Sequence, residues 1–277
     1  MMKLVLVEGI PGSGKSTTAR FVCDWLENHG QRPVLFLEGD WDHPADFESV
    51  ACLDEREYAA LQAQFPKQAA FLAEHAWREE DAWFFNYRRL EHEHAGQVPD
   101  ALFAALAHFE IYDLPAEKHQ RLLLKRWRNF TARAVTEELF YVFECCFLQN
   151  PLTTLLARHN LPTKTVYQHV FTLAEIVAPL QPRLIYLAQT DVRATLETIR
   201  QQRPQEWADF VTWYLTGQAY GKRHGLGGWG GVTDFYAARQ ALELEFLQTL
   251  PIDSLILSDS ADWNERYRRL AVWLEMV

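Results

Sequence analysis

The sequence is short of cysteine, of positive charge and of long apolar runs, and each shortage removes a class of function. Its four cysteines, Cys23, Cys52, Cys145 and Cys146, include no Cys-x-x-Cys pair, which leaves no zinc-ribbon spacing and points to reduced thiols. On a strand, Cys145 and Cys146 would face opposite ways. Lys and Arg number 27 against 37 Asp and Glu, a formal charge of −10. That balance argues against nucleic acid or an anionic membrane as partner, because both require a concentrated basic face. No apolar segment reaches the ~20 residues of a membrane helix, and the run Leu4-Val5-Leu6-Val7 is too short for a signal peptide, so the expected location is the cytoplasm. Two motifs are missing as well. Glu91-His92-Glu93-His94 contains no His-Glu-x-x-His pattern, and Thr163-Lys164-Thr165 breaks the Asn/Thr-Lys-x-Asp pattern of guanine recognition. What remains open is a small solute as ligand, with or without a homo-oligomer.

Hydrophobic residues make up 48% of the 277, enough to bury a full core, and the expectation is one domain over residues 1–277. The organising stretch is Gly9-Ile10-Pro11-Gly12-Ser13-Gly14-Lys15-Ser16-Thr17, which follows the opening apolar run. It is a complete Gly-x-x-x-x-Gly-Lys-Ser phosphate loop between a strand and a helix. Glycines let its backbone N–H groups close on a polyphosphate, Lys15 supplies a charge for the β- and γ-phosphates, and the Ser16 hydroxyl is the expected ligand of Mg²⁺. The helix that starts here turns its positive end to the phosphates.

A second buried strand, Pro33 to Leu37, runs into the acidic turn Glu38-Gly39-Asp40-Trp41-Asp42-His43-Pro44, at the strand end where open parallel sheets place ligands. Asp40 is the expected general base for an acceptor hydroxyl. Asp42 is a second acceptor contact, or the cap of a following helix. Residues 45–138 contain no clear parallel strand. Trp83, Tyr87 and Leu90, then Leu102, Leu106 and Phe109, then Leu123, Trp127 and Phe130 recur at helical spacing, so this stretch reads as a helical insertion, a lid or cap for the acceptor site.

A third strand, Leu139 to Glu144, ends in the carboxylate expected to support Mg²⁺. Beyond it, Gln149 is a candidate acceptor contact, and Asn150 before Pro151 reads as a helix N-cap. The fourth strand, Arg183 to Leu187, leads into a helix capped by Thr190-Asp191 that delivers Arg200 and Arg203, cations suited to a migrating phosphoryl group. Gly221 to Gly231 reads as a flexible basic stretch. A helix from about Ala237 to Leu250, a fifth strand Ser254 to Leu257, the turn Ser258 to Asp262 and a terminal helix complete the chain.

The segment Glu8 to Thr17, the Tyr186-Leu187 strand with Arg200 and Arg203 after it, and the closing strand with Asp259 to Trp263 resemble the thymidylate kinase branch of the phosphate-loop nucleotide and small-molecule kinases. The resemblance covers the sheet segments and leaves out residues 45–138. It implies an α/β, three-layer P-loop NTPase fold with a five-stranded parallel sheet and a helical insertion between the second and third strands. It further implies ATP binding by Gly9, Gly12, Ser13, Gly14, Lys15, Ser16 and Thr17, lid arginines at Arg200 and Arg203, and an approach of Asp262 to adenine. Two departures bear on the acceptor. Glu144-Cys145 stands where that family carries Asp-Arg, and Glu38, Asp40 and Asp42 replace its basic acceptor element. An acidic pocket suits a neutral or cationic hydroxyl compound. The expectation is therefore an ATP- and Mg²⁺-dependent kinase of a small metabolite or antibiotic. Lys15, Asp40, Arg200 and Arg203 are its catalytic residues and Ser16 with Glu144 its metal site. The alternatives are a nucleoside or nucleotide kinase, with acceptor arginines from the insertion such as Arg78, Arg88 or Arg89, and a regulatory ATPase.

Overall fold

The computed structural model describes residues 2–79, 81–259 and 262–275. The chain divides into two compact units, Met1–Glu38 with Arg126–Val277, and Gly39–Lys125.

The first unit begins with β1 (Leu4–Gly9), α1 (Lys15–Asn28) and β2 (Pro33–Phe36). In the second unit follow β3 (Val50–Asp54), α2 (Glu55–Gln64), α3 (Ala69–His75), β4 (Trp77–Glu79), β5 (Ala82–Asn86), α4 (Tyr87–Glu93) and α5 (Asp100–Ala107). The boundary between the units falls inside α6 (Ala116–Ala134). Then come β6 (Phe140–Glu144), α7 (Gln149–Thr153), which continues as a π-helical turn (Thr154–Arg158), α8 (Thr163–Val177) and β7 (Arg183–Ala188). The chain closes with α9 (Val192–Gln202), α10 (Gln205–Thr216), α11 (Ala219–His224), α12 (Gly228–Leu247), β8 (Asp253–Ser258) and α13 (Trp263–Glu275).

In the first unit the five strands lie all parallel in the order β2-β6-β1-β7-β8. Every residue of β1 is buried, as a central parallel strand with helices on both faces requires. Strand alternation separates the two faces. Val5, Val7, Val142, Ile185 and Leu187 share a core with Ala19, Val22 and Leu26 of α1 and Leu270 and Leu274 of α13. On the other face Phe143 meets Trp127 edge-on at 5.9 Å and Phe130 at 4.9 Å, both from α6. With the phosphate loop between β1 and α1, this is the three-layer P-loop architecture that the sequence implied.

The second unit departs from the helical expectation. It contains a three-stranded antiparallel sheet, β3-β5-β4, so the insertion is mixed. Trp83 lies on β5, stacked on Tyr58 at 4.4 Å, and the helix carrying Tyr87 and Leu90 starts after it. The 83/87/90 spacing is shared by accident between an aromatic, β-prone segment and the helix that follows. Asp54 and Glu57 form a capping box at the start of α2, and Ala51, Leu53, Leu61, Phe85, Leu102 and Leu106 close a separate core.

Three further expectations are corrected. Residues 221–231 form the end of α11 and the start of α12, so the helix expected from Ala237 begins at Gly228. Gly221 is there for close approach, since a Cβ would fall 2.4 Å from Thr216 Cα. Asn150 sits inside α7, whose N-cap is Leu148. Cys145 lies past the end of β6 with φ 69°, so the cysteine pair does not alternate along a strand. Part of the expected turn, Ser260 and Ala261, lies outside the described residues.

Trp127 is fully buried, and truncating an indole in such a place costs about 3–5 kcal/mol. Trp127→Ala is expected to lower the unfolding free energy by that amount in urea titration; a loss below about 1 kcal/mol would show that the α6 face does not hold the sheet.

Candidate functional site

The loop after β1 folds back at once. Gly9 has φ 149°, and a Cβ there would fall 2.8 Å from Ser13 Oγ and 2.9 Å from Leu187 O, so the turn admits no side chain. Ser13 N donates to Ile10 O at 3.2 Å, and Thr18 N to Gly14 O at 3.0 Å, which closes the loop and starts α1. Ser13 is buried, and its Oγ has no hydrogen-bond partner among the described residues. An orphan hydroxyl inside a loop of backbone N–H groups fits an anionic ligand. Lys15 is 5% exposed and its Nζ donates to Ile10 O at 3.0 Å, while Ser16 and Thr17 are exposed.

Parallel register does the next step. β6 lies beside β1 with Glu144 opposite Val7, which puts its carboxylate next to the first turn of α1, and Ser16 Oγ donates to Glu144 Oε1 at 2.8 Å. The two residues expected to hold Mg²⁺ are thus in contact. β2 pairs with the other side of β6, so Glu38, two residues past its end at Phe36, arrives at the same edge. Gln149 Nε2 donates to Glu38 Oε1 at 2.8 Å, and Cys145 Sγ to Glu38 Oε2 at 3.3 Å. One ligand atom each of Glu38, Glu144 and Cys145 lies within 4.8 Å of the others. Oxygen donors from Ser16, Glu144 and Glu38 are the kind that Mg²⁺ takes.

Beneath this cluster Glu8 is fully buried and accepts from Phe147 N at 2.8 Å and Gln149 N at 2.9 Å. Burial pushes its carboxyl up to about 7 against the pull of those amides. Burial alone would lower Lys15, but its Coulombic interactions with Cys145, Glu38 and Glu144 outweigh it and hold the ammonium above its ordinary value. Burial also drives the Cys145 thiol well above its usual range, against the pull of Lys15.

The lid candidates lie on α9. Asp191 caps this helix through Ala194 N at 2.9 Å, and a Cβ built on Gly12 would meet Thr195 Cγ2 and Ile199 Cβ at 3.3 Å, so the helix lies directly against the loop. Arg200 sits over the Trp229 ring at 4.9 Å and 3.8 Å from Glu197 Oε2. Arg203 ends the helix and is exposed. Asp262 caps α13 by accepting from Glu265 N at 2.8 Å.

Asp40 and Asp42 belong to the second unit. Asp40 Oδ1 accepts from Asp42 N at 2.9 Å, and Asp42 pairs with Arg89, so neither caps a helix. Sequence reasoning placed Glu38 in the acidic turn with Asp40 and Asp42 but gave it no role of its own; it lies two residues past the end of β2, whereas Glu144 is the last residue of β6. The sequence had no signal for Arg239, whose Nη2 donates to Gly9 O at 3.1 Å from 230 residues away.

No family model matches the chain, and no curated protein does. Solved structures of similar fold include deoxyadenosine kinase from M. mycoides with bound dATP, at 12% identity over 98% of this chain and 99% of that one, TM-score 0.45. The same enzyme with bound dCTP follows at 11% identity, 99% and 100% coverage and TM-score 0.43. Thymidylate kinase from Candida albicans is similar at 12% identity, 99% and 92% coverage and TM-score 0.43.

The raised carboxyl of Glu8 sets a pH dependence. Between its ordinary value of 4.5 and about 7 the folded chain binds more protons than the unfolded one, so this contribution to stability falls as pH rises through that window. Glu110, raised to about 7 by burial, acts the same way. Melting temperatures from pH 5 to 8 are expected to fall less steeply in Glu8→Gln than in the parent, and least in Glu8→Gln with Glu110→Gln. Parallel curves would show that Glu8 does not titrate in this range.

Proposed function

We propose that this chain transfers the γ-phosphoryl group of ATP, with Mg²⁺, to a hydroxyl of a small uncharged acceptor, and that a nucleoside is the acceptor class its charge pattern fits. The observation that carries this reading is the cluster at one edge of the sheet. The Ser16 hydroxyl bonds Glu144, and Glu38, tethered by Gln149, stands beside them. The loop N–H groups and Lys15 bind the polyphosphate, and Ser16 with Glu144 would hold Mg²⁺, which when bound neutralises charge on the β- and γ-phosphates. Arg200 and Arg203 of α9, packed on the loop, supply cations to the migrating group.

Glu38 is the general base of this scheme. The acceptor oxygen attacks the γ-phosphorus, the bond from phosphorus to the β,γ-bridging oxygen breaks to release ADP, and the hydroxyl proton passes to the Glu38 carboxylate. Asp40 is the second candidate for that proton, with Asp42 and Gln149 as acceptor contacts and Asp262 on the adenine side.

The acceptor's charge follows from the groups present. Glu38, Glu144, Cys145 and Gln149 bring acids, a thiol and an amide, and this favours an unphosphorylated hydroxyl over a monophosphate. The arginines that a nucleotide acceptor would need are engaged within their own unit. Arg78 pairs with Glu55, Arg88 with Glu91, and Arg89 with Glu93 and Asp42. A nucleoside satisfies the same chemistry as the metabolite or antibiotic alcohol expected from sequence, and only turnover separates them.

The test is ATP consumption over a panel of nucleosides, deoxynucleosides, nucleoside monophosphates, sugars, amino alcohols and aminoglycosides, with mass spectrometry for an added phosphoryl group. A phosphorylated nucleoside supports the reading. A phosphorylated monophosphate overturns the charge argument, and hydrolysis indifferent to every acceptor points to a regulatory ATPase. With an acceptor in hand, Lys15→Ala is expected to abolish turnover, and Glu38→Gln to lower kcat by about a hundredfold with ATP affinity kept. Asp40→Asn should have the smaller effect; the reverse ranking would assign the proton transfer to Asp40.

A further inference from the structure

Arg239, in α12, is 1% exposed, and its guanidinium makes hydrogen bonds through both terminal nitrogens and an ion pair without hydrogen-bond geometry through Nε. Nη2 donates to Gly9 O at 3.1 Å, Nη1 donates to Thr153 Oγ1 at 2.8 Å, and Nε lies 3.1 Å from Glu243 Oε1. The other oxygen of Glu243 accepts from the Tyr186 hydroxyl at 2.5 Å, and the guanidinium carbon lies 4.9 Å from the centre of the Tyr236 ring. The next residue clasps a second segment. Gln240 Oε1 accepts from Gln189 N and its Nε2 donates to Gln189 O, both at 2.9 Å. Gln189 Oε1 in turn accepts from Thr195 Oγ1 at 3.1 Å, on the helix that lies against Gly12.

Stability does not account for such an arrangement, because a buried ion pair is often replaced by apolar residues with no loss. Direction does. The Gly9 carbonyl and the Ile10 N–H belong to one peptide plane and point opposite ways. A guanidinium that holds the oxygen therefore fixes the N–H on the side away from α12. That peptide is the first of the phosphate loop, so its orientation sets the start of the N–H array that a polyphosphate meets.

We propose that Arg239 is a positioning residue for the phosphate loop, acting by locking the Gly9–Ile10 peptide, while Gln240 holds the lead into α9 in step with it. The inference rests on the reading that this loop binds Mg·ATP.

The experiment is calorimetric titration of Mg·ATP into the parent protein, Lys15→Ala, Arg239→Lys and the double variant Arg239→Met with Glu243→Gln, which removes both charges so that neither is left buried alone. The double variant is expected to melt near the parent temperature and to bind Mg·ATP at least tenfold more weakly. Arg239→Lys keeps the charge but reaches one acceptor instead of two, and is expected to restore part of the affinity. A folded double variant that binds Mg·ATP like the parent overturns the proposal. If the double variant does not fold, Arg239→Lys decides: weakened binding in a folded protein supports the proposal, and unchanged binding overturns it. A parent that binds no Mg·ATP refutes the proposed function itself, and this inference with it, whereas binding by the parent and not by Lys15→Ala leaves Arg239 alone under test.

Discussion

A lysine ammonium held out of water has to be matched by negative charge at short range, and this requirement organises the carboxyl edge of the sheet. Desolvating Lys15 without partners would strip it of its proton or expel it from the site. Glu144 and Glu38 are the answer, and neither is near Lys15 in sequence. Each is delivered by lying at the end of a parallel strand or two residues beyond it, and β6 between β1 and β2 brings both to the same edge. The sheet order is thus also an electrostatic arrangement.

The parts of the site that were legible in the sequence are those built from consecutive residues. Strand, glycine turn and helix N-terminus follow one another from Leu4 to Thr17, so the phosphate loop needs no distant information, and Glu144 was readable because an apolar run stops on it. The choice between Glu38 and Asp40 was not readable. The two acids are two residues apart and both lie beyond the end of β2 at Phe36, and the contacts that tie Glu38 to the sheet edge come from Cys145 and Gln149, more than a hundred residues on. Arg239 lies beyond any local reading, since its partner Gly9 is 230 residues away. In the second unit, β3 and β5 become strands by pairing with each other, and the aromatic content of β5 imitates a helical face until that pairing is known. The glycines from 221 to 231 misled for a different reason. Composition marks glycine as flexible, while Gly221 serves to let two backbones touch.

Cys145 alters the character of the site more than its size. At a position where the resemblance led one to expect an arginine, a thiol donates to Glu38. The hydrogen bond orients the carboxylate without cancelling its charge, as a guanidinium would. Gln149 does the same from the other side. Glu38 is thus held by two neutral donors, a thiol and an amide.

The clasp between Arg239 and Gly9 also bears on how the protein is made. The loop leaves the ribosome well ahead of the side chain that fixes its first peptide, which follows 230 residues later. At about 5–20 residues per second that is a delay on the order of ten to fifty seconds. For the earlier part of this interval, until β6 and then β7 emerge, β1 also lacks its neighbours on both sides. A nascent chain therefore carries an apolar, unpaired central strand until β6 and β7 arrive and an unset glycine loop until α12 does, and the burden of keeping it unaggregated falls on whatever shelters the emerging chain.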